Sequence, residues 1–169
     1  MKKEASKIQT SYKSPSWEEY FIELANLVGP RGTWDRGRSG AVIVKDKRIL
    51  TTGYVGSPIG LLHCDEVGHE MHTVTNEDGI TSRHCTRTAH AEQNAINNGA
   101  RSEVALIGST MYCKMVPCYR CAQSIVNVGI VCVICEKDYH SGAKTKQILK
   151  QAKVKLIILN KIVQHYKDQ

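Results

Sequence analysis

The order of apolar segments along the chain predicts an α/β protein, a three-layer αβα sandwich on a mixed five-strand sheet. Three observations carry that expectation. The chain opens with a segment of helical period, then shows two short apolar runs around a polar turn, and from residue 89 onward alternates helical segments with apolar runs of strand length. A hairpin pairs antiparallel, whereas strands joined through helices pair parallel by right-handed crossovers, so the sheet is mixed. With 169 residues the chain fits one domain and buries a core without a disulfide scaffold. Hydrophobic content of 41% and charged content of 23%, with Gly and Pro neither abundant nor periodic, exclude collagen-like, coiled-coil and disordered chains.

Residues 1–15 are polar and end at Ser14-Pro15, which predicts a flexible arm; the domain is expected over 16–160 and a polar tail over 161–169. Ser16 and Glu19 form a capping box, and Trp17, Tyr20, Phe21, Leu24, Leu27 and Val28 recur at helical spacing until Gly29-Pro30. Ala41–Val44 and Ile49–Thr52 read as strands around the turn Lys45-Asp46-Lys47-Arg48. From about Val55 to Arg87 periodicity is weak, and this stretch holds four of the seven histidines and two of the seven cysteines. A loop that long implies function or a pin such as a metal. A helix follows from about Ala89 to Asn98, stopped by Gly99, and then a strand from about Val104 to Cys113. Pro117 opens a helix that ends at Gly129, since proline suits a first turn and glycine a C-terminal cap. Ile130–Cys135 reads as a buried strand, Gly142–Ala152 as a helix and Val154–Leu159 as the last strand.

The balance of 23 Lys+Arg against 16 Asp+Glu gives a formal charge of +7. The basic N-terminus has no apolar segment behind it, and no run approaches the ~18 apolar residues of a membrane span, so a cytoplasmic protein without a membrane partner is expected. An odd number of cysteines, seven, in a chain that can fold without them favours reduced thiols as metal ligands over a disulfide framework.

His90-Ala91-Glu92 stands at the start of one expected helix, and Pro117-Cys118-Tyr119-Arg120-Cys121 at the start of another. Cysteines three apart in a first helical turn share a face, and the positive helix end favours the thiolate that binds metal. His90 supplies the third ligand. Three protein ligands leave the fourth tetrahedral position open, which distinguishes a catalytic zinc from a structural one. Water there loses a proton near neutral pH. Glu92 is placed to take that proton and pass it to a ring nitrogen and then to the leaving ammonia. Together, H-x-E and P-C-x-x-C are the signature of zinc deaminases. Cys132-Val133-Ile134-Cys135 repeats the C-x-x-C spacing, but in an expected strand positions i and i+3 face opposite ways. These two, with Cys113, read as core cysteines.

The run from Cys85 through Ile96, Cys-Thr-Arg-Thr-Ala-His-Ala-Glu-Gln-Asn-Ala-Ile, with Gly53-Tyr54-Val55-Gly56-Ser57-Pro58 and His63-Cys64-Asp65-Glu66 upstream, resembles the deoxycytidylate (dCMP) deaminases. The resemblance extends from about Trp17 to Leu159. It implies a cytidine-deaminase-like fold and zinc-dependent hydrolysis of dCMP to dUMP and ammonia, with hydroxide attacking C4. It further implies a hexamer, activation by dCTP and inhibition by dTTP, and Mg2+ accompanying such an effector. By matching position, Ala91 and Glu92 would contact the pyrimidine, Tyr139 would close over the substrate, and Arg36 would bind phosphate. Val55 departs from the pattern: the family commonly has an asparagine there that hydrogen-bonds the sugar, and valine has no such group. Cys64, His69 and Cys85 match positions that bind a second, structural zinc in part of the family, with His63, His72 or His84 as a fourth ligand.

Two other readings share the zinc motif. A nucleic-acid deaminase, for instance one acting on tRNA, would use the +7 charge as its phosphate footprint. Lysines dispersed along the chain and only 6% aromatics count against it, so nucleic acid is not the expected partner. A non-catalytic zinc-binding module would have no use for Glu92 beside an open coordination position.

Overall fold

A computed structural model of the chain describes residues 13–34, 37–75, 79 and 81–165. Most of the expected N-terminal arm, Arg36, and the last four residues of the expected tail lie outside the described residues. The elements are α1 (Trp17–Val28), β1 (Gly40–Lys45), β2 (Arg48–Tyr54), α2 (Cys64–Val67), β3 (Met71–Thr75), β4 (Thr81–Cys85) and α3 (Ala91–Arg101). They continue with β5 (Thr110–Met115), α4 (Tyr119–Asn127), β6 (Cys132–Tyr139), α5 (Ala143–Gln151), β7 (Lys155–Ile158) and β8 (Val163–Gln164).

The capping box of α1 is closed in both directions: Glu19 N–H donates to Ser16 Oγ at 3.2 Å, and Ser16 N–H donates to Glu19 Oε2 at 2.8 Å. Between β1 and β2 the turn residues Asp46 and Lys47 have φ of 50° and 61°, the left-handed pair that matches a two-residue hairpin to the strand twist. The main sheet runs β2-β1-β5-β6-β7. β1 is antiparallel to β2 and β5, while β5, β6 and β7 are parallel, as helical crossovers require. β8 adds a sixth strand by pairing with the end of β6, Asp138 opposite Val163 and Tyr139 opposite Gln164.

Strand alternation assigns the two faces. Val42, Val44, Tyr112 and Ile134 pack on Phe21, Ile22 and Ala25 of α1. Ala41, Ile43, Met111, Cys113, Val133 and Cys135 face the other way, toward Ala95 of α3, Ile125 of α4 and Leu149 of α5. Helix, sheet and three helices make the expected three layers. Complete burial of side chains such as Ile43, Met111 and Ile125 stabilises by about 1.5–3 kcal/mol each. Cys132 and Cys135 do fall on opposite faces, and Cys113 and Cys135 are core residues.

Several boundaries differ from expectation. Residues 55–87 are not a structureless loop: they contain α2 and the β3–β4 hairpin, a separate two-stranded sheet. Alternating small and polar residues such as Thr73, Thr75, Thr81 and Arg83 carry no apolar face, so the hairpin left no period-2 signal. Gly99 does not end α3, which runs on to Arg101; a Cβ at Gly99 would sit 3.0 Å from Leu106 Cδ1, so the glycine admits Leu106 against the helix. Residues 104–109 are not strand but a loop in which Leu106 is buried, so apolarity there marks packing and not pairing. Pro117 and Gly129 flank α4 without belonging to it, and β6 extends four residues beyond Cys135. The expected polar tail contains β8.

Candidate active site

In an open α/β sheet the carboxyl ends of the parallel strands gather helix N-termini, and that is where this chain gathers its reactive groups. β5 leads through Val116 and Pro117 into α4, whose N-cap is Cys118 and whose first turn holds Cys121. Beside it α3 begins with His90 as N-cap and Glu92 in its first turn. His90 N–H donates to Gln93 Oε1 at 3.1 Å, which fixes the start of α3.

Three groups from these two termini converge. Cys118 Sγ lies 3.4 Å and Cys121 Sγ 3.5 Å from His90 Nδ1, and the three donor atoms fall within 4.8 Å of one another. A tetrahedral zinc with ordinary Zn–S and Zn–N bonds separates sulfur from nitrogen by about 3.6 Å, so the donors already stand at the spacing the metal needs. Two thiols and an imidazole are also a donor set that suits zinc. Glu92 is buried beside them, with Oε2 3.8 Å from Cys121 Sγ.

The electrostatics are those of a tightly coupled group. Cys118 is lowered to about 4, first by the hydrogen bond from Cys121 and also, against its own burial, by His90. Burial opposes charge on His90, but the Cys118 thiolate outweighs it and raises the imidazole to about 9. Cys121 is pushed well above the usual thiol value, first by its bond to Cys118 and then by burial. Burial raises Glu92 above the ordinary carboxylate value, as a group that must take up and release a proton requires.

Sequence reasoning missed the residues that hold α3 against the sheet. Asn94 Nδ2 donates to the carbonyls of Tyr54 at 2.7 Å and Gly56 at 3.4 Å, Asn98 Nδ2 donates to Thr52 O at 2.8 Å, and Thr51 Oγ1 donates to Ala95 O at 2.6 Å. A Cβ at Gly53 would overlap the backbone of Ala91 and Ala95, so glycine there lets β2 touch α3 directly. The spacing of Asn94 and Asn98, four apart on one helix face, was the available signal. Ala89 and Gly56 exchange backbone hydrogen bonds at 2.9 and 3.2 Å, tying the residue before His90 to the loop after β2.

The second predicted cluster also assembles. Cys64 Sγ and Cys85 Sγ are 3.6 Å apart, and His69 completes a set of three donors within 4.8 Å. Glu70 N–H donates to Cys85 Sγ at 3.3 Å. The candidates for a fourth donor turn elsewhere: His63 Nδ1 lies 3.4 Å from Thr33 Oγ1, His84 Nε2 2.7 Å from Ser82 Oγ, and His72 Nε2 3.7 Å from Glu70 Oε1. Among the described residues the cluster has three donors. Val55 packs with Trp34, Cys64 and Cys85, which accounts for valine at this position: its side chain builds the small core of the insert.

Ala91 is buried in the core under the first turn of α3. Tyr139 ends β6, its ring 4.5 Å from that of His140 in an edge-on contact. All seven cysteines are free thiols. Among the described residues no helix is long and apolar enough to cross a membrane.

Comparison with known proteins agrees with this geometry. The chain is 36% identical over 126 residues to the deoxycytidylate deaminase of Mycobacterium phage D29, covering 73% of this chain and 97% of that one. It is 34% identical over 138 residues to the deoxycytidylate deaminase of Saccharomyces cerevisiae, covering 82% of this chain but 43% of the yeast enzyme. The structure of a dCMP deaminase from the cyanophage S-TIM5 in complex with dCMP and dUMP superposes with a TM-score of 0.67 at 27% identity, covering 86% of this chain and 98% of that one. The family model for the cytidine and deoxycytidylate deaminase zinc-binding region matches residues 15–137, a span that holds both helix N-termini and all three converging donors. A match of that length, on residues that the fold brings together, makes this protein a member of the cytidine and deoxycytidylate deaminase family.

Proposed function

We infer that the protein hydrolyses dCMP to dUMP and ammonia. The observation that carries this reading is the pairing of a three-donor cluster with a buried carboxyl: His90, Cys118 and Cys121 hold zinc, and Glu92 stands against them as proton carrier. The phage and yeast relatives are named deoxycytidylate deaminases, and the cyanophage structure holds dCMP and dUMP. When bound, zinc supplies Lewis acidity that lets water attack at neutral pH. Glu92 accepts the water's first proton at its carboxylate and donates it to the ring nitrogen beside C4; it then takes the second proton from the hydroxyl added at C4 and passes it to the departing amine, which leaves the C4 carbonyl of dUMP. Burial of Glu92 keeps that proton from exchanging freely with solvent. Ala91 and Tyr139 border the pyrimidine, and Arg36 is a candidate for the nucleotide's phosphate.

Cys64, His69 and Cys85 hold a second zinc whose role is structural once His63, His72 or His84 turns in as fourth ligand, because among the described residues no carboxylate belongs to that cluster and the insert has little core of its own. A cytoplasmic hexamer regulated by dCTP and dTTP with Mg2+ completes the reading.

The test is ammonia release from dCMP, CMP, deoxycytidine, dCTP and deoxyadenylate, with zinc content measured on the same sample. Selective turnover of dCMP is the expected result. Inert mononucleotides in zinc-loaded protein would defeat the assignment.

A further inference from the structure

β6 outruns its neighbours in the main sheet. Its pairing with β7 ends at Cys135 opposite Ile158, and its pairing with β5 ends at Lys137 opposite Met115. Val116 N–H still donates to Lys137 O at 3.1 Å, which sets the end of β6 against the segment that leads into Cys118. Among the described residues neither β5 nor β7 reaches Asp138 or Tyr139. A strand end without such partners opens easily, yet Tyr139 is the residue that borders the pyrimidine in the reading above.

β8 supplies the missing partner. Asp138 N–H donates to Ile162 O at 2.9 Å, and His140 N–H donates to Gln164 O at 3.4 Å. Side chains extend the contact. His140 Nδ1 lies 3.2 Å from Gln164 O, and the His165 ring stacks on the His140 ring with centroids 5.2 Å apart and planes 14° from parallel. His140 in turn meets the Tyr139 ring at 4.5 Å, with the planes at 64°. Three rings therefore follow one another from the surface inward. Both histidines are exposed, whereas Tyr139 is half-buried and packs against the core cluster to which Ala91 and Val116 belong. A stack of two exposed imidazoles covers no core, so its effect is local: it limits how the rings beneath it turn.

We propose that His140 and His165 are positioning residues for Tyr139. β8 and the His165 ring hold His140, and His140 holds the Tyr139 ring at the angle at which it covers the base. In naming the base this rests on the dCMP reading above.

Two variants separate positioning from folding. His165→Ala removes the outer ring and His165→Phe keeps one; the site is exposed, so melting temperature and zinc content stay at wild-type values in both. KM for dCMP rises by roughly two- to tenfold in His165→Ala, the worth of one aromatic contact, while kcat moves little, since a ring over the base contributes alike before and during reaction. His165→Phe brings KM back toward wild type. In a Tyr139→Ala background His165→Ala adds nothing, because its effect passes through Tyr139. A second readout needs no turnover: in zinc-loaded protein the amides of Asp138, Tyr139 and His140 exchange faster in His165→Ala and at the wild-type rate in His165→Phe. An unchanged KM in His165→Ala, an equal rise in His165→Phe, or the same rise with Tyr139 already removed overturns the proposal. Faster exchange at these amides in a protein that leaves dCMP intact would support the positioning contact and overturn only the dCMP reading.

Discussion

The two Cys/His clusters use the same donors and sit in opposite surroundings. His90, Cys118 and Cys121 come from helix N-termini anchored on the main sheet, and their spacing follows from α3 and α4 packing on a continuous core. Cys64, His69 and Cys85 come from a four-residue helix, a loop and the end of a hairpin strand. Among the described residues that hairpin pairs only with itself, and the core beneath it is Trp34, Val55, Cys64, Cys85 and part of Met71. The thiols split in the same way in both. Cys118 is held at about 4, chiefly by its bond from Cys121 together with His90, while Cys121 is pushed up. Burial, with Cys85 next to it, pushes Cys64 up to about 11, while Cys85 is lowered, against its burial, by the backbone N–H groups of Glu70 and Arg87. In the first cluster the main sheet fixes the donors; the second sits on an insert with little core of its own.

The comparison breaks most sharply at Glu92. Glu92→Gln keeps zinc content and melting temperature near wild type while kcat for dCMP falls by about 10²–10⁴-fold, the usual worth of a positioned acid–base group. Appreciable activity in that variant would refute the role. No residue of the second cluster should show such a split between activity and folding.

Cys85→Ser tests the other side. Elemental analysis should fall from about two zinc equivalents to about one, hydrogen exchange over residues 64–85 should quicken, and deamination should weaken without vanishing. A wild type that binds about one equivalent would remove the second metal from the account.

Gly53→Ala probes the scaffold beneath the first cluster. Its Cβ overlaps the backbone of Ala91 and Ala95, so denaturant unfolding should show a loss of about 1–3 kcal/mol with zinc stoichiometry unchanged. An equally large effect from Gly56→Ala, where a Cβ comes no nearer than 3.3 Å to the side chain of Tyr54, would mean that the contact is not the cause.

The smallest effect belongs to Asp138 and Lys146. Burial works against the Asp138 charge, but Lys146 and the Tyr139 N–H outweigh it and lower its pKa from 3.8. A carboxyl lowered on folding stabilises above its unfolded pKa and loses that contribution as pH falls through the folded value. Lys146→Met should therefore cost below about 1 kcal/mol at neutral pH, and the difference from wild type should close on acidification below pH 3.8. A difference that persists in acid would point to packing instead of charge.

Legibility along the chain followed the strength of local physics. The α1 capping box and the β1–β2 turn rest on neighbours within four residues, and both lie where the sequence placed them. The metal ligands were readable because helix N-terminal chemistry is local, although His90 and Cys118 are 28 residues apart. Gly99 misled because a glycine can end a helix or admit a side chain, and only Leu106 decides between the two. The run from Val104 misled because burial and strand pairing leave the same apolar mark.

The sequence alone determined the αβα layering, the ligand set of the first cluster and the presence of a carboxyl beside it, since periodicity and motif spacing are properties of the chain itself. Tertiary structure alone decided the rest. It folded the His- and Cys-rich stretch into a hairpin, turned His63, His72 and His84 to partners outside the second cluster, made Val55 part of that insert's core, added β8 to β6, and left two hydroxyls unpartnered at the start of α5. Each of these depends on which distant backbone or side chain arrives, and no window along the chain contains that partner.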